Sequence, residues 1–189
     1  LAAPDVLCPD RREQVLSLYF VSPITRLHYV FAKLMGVILL LIVMSVGPLL
    51  LYFAGSALLA NDTAGFLGSH GVDVGHLVLA GVVMSVYFAV VATTVAAFND
   101  RRAFATGTYI GLMLVSGVAA GIIVEGMRFS GHNRFALLDL GELPVEVARW
   151  IFRQQLMAQL DGWVYGVACL VVVIAGLGLM TWQYGRGGE

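Results

Sequence analysis

Four stretches of this chain contain no Lys, Arg, Asp or Glu: Leu34–Asn61, Val74–Asn99, Ala103–Val124 and Gly162–Gly185. A helix rises 1.5 Å per residue and the hydrocarbon core of a bilayer is about 30 Å thick, so about 20 apolar residues cross it. All four stretches exceed that length. In lipid the backbone must satisfy its own hydrogen bonds, which leaves the helix as the form for each. The sequence therefore predicts an all-α integral membrane protein with four transmembrane helices, at 34–60, 76–98, 103–125 and 162–184. Gly47-Pro48 falls inside the first. Proline there removes a backbone hydrogen bond and crowds the preceding turn, so a kink is expected.

Composition agrees. Only 12% of the 189 residues are charged and 59% are hydrophobic. The mean hydropathy is +0.87. A soluble domain of this size carries about 25% charged residues. A net charge of −1 offers no electrostatic footprint for nucleic acid. Cys8 lies in a polar segment and Cys169 inside an apolar one, which gives neither a disulfide framework nor a metal spacing. Asp5 and the bulky Leu7 argue against a lipoprotein cleavage site at Cys8. The chain begins at Leu1 with neither an initiator Met nor a secretory signal pattern, and preceding residues are expected.

Basic residues orient the spans. Arg11, Arg12, Arg26 and Lys33 precede the first, Arg101 and Arg102 join the second to the third, and Arg186 follows the fourth. With four spans these regions share one side. Arg128, Arg134, Arg149 and Arg153 fall on the other, seven against four. Both ends are thereby predicted cytoplasmic, in the plasma membrane of a bacterium. The stretch from Asp62 to Asp73 reads as a short outer loop without Lys or Arg. Trp163 and Tyr165 at one end of the last span, and Trp182 and Tyr184 at the other, fit interfacial aromatic belts.

The outer loop from Gly126 to Asp161 is longer. Pro144 can occupy the first turn of a helix. Val145, Ala148, Phe152, Leu156 and Leu160 then recur at three- to four-residue spacing, with Glu146, Arg149 and Arg153 on another side. An amphipathic helix over 142–160, lying at the outer interface, is expected. Glu125, at the outer end of the third span, is placed to pair with Arg128 three residues on.

The four histidines, His28, His70, His76 and His132, lie outside the middle of any span, and no two stand four residues apart on one helix. They read as interfacial or loop residues; haem or metal binding is the weaker reading. No carboxylate lies deep in a span, which argues against a proton-coupled carrier. The sequence contains no G-x-S-x-G, H-E-x-x-H or P-loop pattern. The chain thus reads as a non-enzyme, and energy for active transport would come from a partner.

Gly107 and Gly111, then Gly117 and Gly121, repeat at four-residue spacing in the third span; Gly162 and Gly166 do so in the fourth. Such spacing lets helices approach closely. Packing within one subunit and contact between subunits both remain open.

The segment 1–33 is polar and basic. Asp10 is a candidate N-cap, with Arg11, Arg12 and Glu13 in the first turn. Val15, Leu16, Leu18, Tyr19 and Phe20 form an apolar stretch that Ser22-Pro23 interrupts before Arg26 and Lys33. Two short helices on the inner membrane surface are expected.

Cys8-Pro9-Asp10-Arg11-Arg12, then Leu16-Ser17-Leu18-Tyr19-Phe20-Val21-Ser22-Pro23-Ile24-Thr25-Arg26, then Tyr29 and Lys33, resemble a stretch of the permease subunits of type-2 ABC transporters. There a D-R…L-x-P-x-(S/T)-R-x2-Y-x3-K pattern joins the second span to the third. The resemblance is strongest over residues 3–33 and looser across the four spans. It implies a six-span permease whose spans three to six are present, with two preceding Leu1. It implies a partner ABC ATPase subunit holding ATP and Mg, and a second permease copy or paralogue. Asp10, Arg11, Arg12, Glu13, Leu16, Leu18, Tyr19, Pro23 and Arg26 would then couple to that ATPase. Gly107, Gly111, Gly117 and Gly121 would face the other subunit. No cofactor is implied on this chain. A permease that moves its substrate outward is the reading, and the sequence does not give that substrate; an ATP-independent carrier or assembly scaffold is the alternative.

Overall fold

Long apolar stretches that satisfy their own backbone become helices, and the computed structural model contains them. It describes residues 26–60, 62–99, 101–126, 133–156 and 160–186. In chain order these form α1 (Arg26–Leu59), α2 (Thr63–Ala97), α3 (Arg102–Gly126), a short 3-10 helix (Asn133–Leu138), α4 (Leu143–Ile151) and α5 (Gly162–Arg186). No strand occurs among the described residues. Four helices, α1, α2, α3 and α5, are long and apolar enough to cross a membrane.

The helix α1 continues through Pro48 to Leu59. The expected loop from Asp62 to Asp73 is instead helix, since α2 begins at Thr63. Asp62 caps it, its carboxylate accepting the Gly65 N–H at 3.1 Å. Phe53 of α1 and Phe66 of α2 meet across the turn, ring centroids 5.5 Å apart. That contact and the cap offset the poor helix propensity of Gly65, Gly68 and Gly71.

The central element is α2. It packs against α1, α3, α4 and α5, and α1 also touches α5. Leu34 and Val37 of α1 meet Ala89 and Val90 of α2 in a buried cluster that Val173 and Leu177 of α5 complete. Small residues allow the close approach. A side chain at Gly81 would run into Val46 of α1, and one at Gly176 into Val90 of α2. Ser45 and Ser85 share a hydrogen bond of 3.1 Å between α1 and α2. Thr93 of α2 is fully buried and its hydroxyl donates to the Ala89 carbonyl at 2.7 Å.

Much of the outer surface is apolar. Leu39, Met44 and Leu51 on α1, Val118 and Ile122 on α3, and Ile174 on α5 are exposed. Water-soluble monomers rarely show such continuous apolar patches, whereas lipid is a good solvent for them.

The helix α4 departs from expectation. It ends at Ile151 rather than near residue 160. Arg153 adopts the left-handed conformation at φ 54°. The Arg153 N–H reaches the Trp150 carbonyl and the Gln154 N–H the Arg149 carbonyl, which is a Schellman stop. The covered face differs too. Leu143, Pro144, Glu146 and Val147 are buried, while Phe152 is exposed. The helix lies against both α2 and α5 rather than with one side free, so a polar position falls inward.

Candidate functional site

The coupling residues Asp10, Arg11, Arg12, Glu13, Leu16, Leu18, Tyr19 and Pro23 lie outside the described residues. Arg26 opens α1, its side chain likewise outside the described set. Lys33 immediately precedes Leu34, which α2 covers.

The glycines of α3 divide. A Cβ at Gly107, Gly111 or Gly121 would meet nothing within 4 Å. Among the described residues these three positions pack against no neighbouring element. Gly117 is different: its face lies against Asp139, the carboxylate 3.4 Å from where a Cβ would stand. Gly162 of α5 is covered by the Trp150 indole and would admit no side chain without moving it. Two glycines with repeat spacing are therefore seats for the segment between α3 and α5.

That segment is the main finding. The 3-10 helix packs along α3, and α4 packs between α2 and α5. The turn between them reaches deep alongside the apolar helices. Tyr87 Oη donates to the Leu140 carbonyl at 2.8 Å. Tyr87 stands ten residues from the Ala97 end of α2, about 15 Å along its axis. Gly117 stands seven residues inside the Val124 end of the apolar window of α3, about 10 Å. The chain thus leaves α3, folds back between the long helices, and climbs out through α4.

Polar groups at that depth need partners, because lipid offers none. Asp139 supplies some of them: one carboxylate oxygen accepts the Gly141 N–H at 3.0 Å and the Glu142 N–H at 3.1 Å. These are amides at the start of α4 that the helix itself leaves open. Glu146, only 3% exposed, pairs with Arg149 one turn on. Tyr87, Val91, Leu143, Val147, Tyr165 and Cys169 close an apolar core around this polar spine.

The histidines are dispersed. His28 is exposed. His70 stacks on Phe66, centroids 4.4 Å apart, and its Nδ1 lies 2.8 Å from the Ser69 hydroxyl. His76 meets Phe152 edge-on at 6.2 Å. His132, Arg128 and the Glu125 side chain lie outside the described residues. Among the described residues no three His, Cys, Asp or Glu side chains gather closely enough to hold a metal ion.

Three functionally placed residues escaped the sequence reading. Tyr87 is an aromatic with a polar handle in the middle of a span rather than at an interface, and that misplacement is its signal. Asp139 is followed two residues on by Gly141, the spacing at which an Asp side chain accepts a backbone amide in an Asx turn. Glu146 gave the opposite signal, since its charge placed it on the outside.

No protein-family model, curated protein or solved structure matches this chain. What the fold defines is an all-helical chain with four helices able to span a membrane and one segment folded back between three of them.

Proposed function

We propose that this chain is the membrane-spanning permease component of an ATP-driven transporter, working as an exporter. ATP would be hydrolysed on a separate partner subunit, with ATP and Mg bound there. The observation that carries the reading is the basic segment 10–26 joined directly to α1. That helix runs from Arg26 to Leu59 and is packed on α2 and α5. A push on Asp10–Arg26 would be delivered to the bundle through α1, because a packed helix moves as a unit. Arg11, Arg12, Glu13 and Arg26 are the proposed contacts with the ATPase, and Leu16, Leu18, Tyr19 and Pro23 the docking surface.

The distribution of basic residues supports placing the Arg26, Arg101 and Arg186 ends at the cytoplasmic face. On that reading the Asn133–Ile151 segment enters from the outer face. Two permease subunits would meet through α3, where Gly107 and Gly111 present a face with no neighbour among the described residues. Gly117, seated on Asp139, serves the fold of its own subunit.

Affinity purification from membranes tests the reading. A soluble ATPase should co-purify with the intact chain. The double substitution Arg11→Glu, Arg12→Glu should release that ATPase while membrane insertion persists. An unchanged complex would remove these arginines from the contact. Full function with no ATPase present would favour a carrier or scaffold instead.

A further inference from the structure

We infer that the segment Asn133–Ile151 is a movable insert, latched in its seat between the long helices by the Tyr87 hydroxyl. Three observations separate this segment from the bundle that holds it.

First, several polar needs of the segment are met within it. Asp139 binds the Gly141 and Glu142 amides, and Glu146 pairs with Arg149 on the same helix. These bonds travel with the segment and survive its displacement. Second, two of its seats are glycine faces. Asp139 rests on Gly117 of α3, and Trp150 on Gly162 of α5. A glycine face offers no side chain to interlock at these two points. Third, the Tyr87 bond is different in kind. It joins the central helix to the tip of the insert across 53 residues of sequence. Tyr87 itself is only 1% exposed.

Apolar contacts of α4 with α2 and α5, through Leu143 and Val147, are given up on displacement whichever residue stands at 87. The hydrogen bond is the part of the seat that one substitution removes: without the phenol the buried Leu140 carbonyl loses its partner from α2 in the seated state. Losing that bond shifts the population toward the displaced state. The latch holds whatever the chain transports, and it stands whether or not the chain is a permease subunit.

Thiol labelling of the full-length protein in lipid nanodiscs tests this. Ala136→Cys, half-buried in the 3-10 helix, is introduced with Cys8→Ser and Cys169→Ala. Its modification by a small water-soluble maleimide reports displacement. Tyr87→Phe should raise the rate about five- to thirtyfold. Tyr109→Phe, a neighbouring tyrosine in the same core, should leave it unchanged. Equal rates for the parent and Tyr87→Phe would overturn the latch. An equal rise in Tyr109→Phe would also overturn it, assigning the change to a loosened core.

Discussion

Replacing Gly176 by alanine should separate α5 from α2. A Cβ there would stand 2.7 Å from Val90 Cγ1 and 3.0 Å from Thr94 Oγ1. Carbon atoms in contact prefer about 3.5–4.0 Å, so the overlap is about 1 Å. Neither neighbour yields easily. Val90 is β-branched with one preferred rotamer in a helix, and it is only 1% exposed. The Thr94 hydroxyl is held by the Val90 carbonyl at 2.7 Å. The helices must move apart, at a cost of about 1–3 kcal/mol. Val90→Ala alone should cost about 1 kcal/mol, because lipid lessens the penalty of lost burial and leaves mainly lost packing. Combined, the two changes restore the volume. The double variant should therefore be less destabilised than the sum of the singles by about 1–2 kcal/mol. Unfolding in mixed detergent micelles, followed by intrinsic fluorescence, measures all four corners of the cycle. Additive effects would refute the claim that Gly176 exists to admit Val90.

Asp139→Ala should cost about 1 kcal/mol and speed hydrogen exchange at the Gly141 and Glu142 amides, which lose their acceptor. Arg153→Gly should stabilise the protein by about 1 kcal/mol in thermal melts, since glycine occupies the left-handed stop of α4 without strain. Gly107→Leu with Gly111→Leu should leave the melting temperature of the single chain within about 2 °C while reducing cross-linked dimer, because among the described residues no neighbouring helix comes within 4 Å of a Cβ at either position.

The long helices were legible because charge-free length is a one-dimensional property, and lipid turns it into helix with little help from tertiary contacts. Their ends were less so. The stretch 62–73 read as a loop because Asp62 and Asp73 interrupt the charge-free run, and what makes it helix is the Asp62 cap together with the Phe53–Phe66 contact. The folded-back segment hid for a related reason. Glu146 is charged, and sequence patterning places charge outside; its burial depends on Arg149 one turn away and on two apolar helices closing around it. Gly117 and Gly107 look alike in sequence, yet one seats Asp139 and the other meets nothing. That difference lies in the return path of the chain, which no local spacing encodes.

The lengths of α1 and α2 carry a mechanical consequence. At 34 and 35 residues each is about 50 Å long, well beyond the roughly 30 Å that a bilayer core requires. Packed together and joined by a short turn, they form a stiff lever that overhangs its fulcrum. A rotation of about 10° at the Arg26 end would swing the far tip by about 9 Å, a one-turn displacement and more. Tyr87 sits partway along that lever, so the same stroke would carry its hydroxyl across only a fraction of the distance. A modest push at one end can thus be large at the tip and still small enough at Tyr87 to switch a single hydrogen bond.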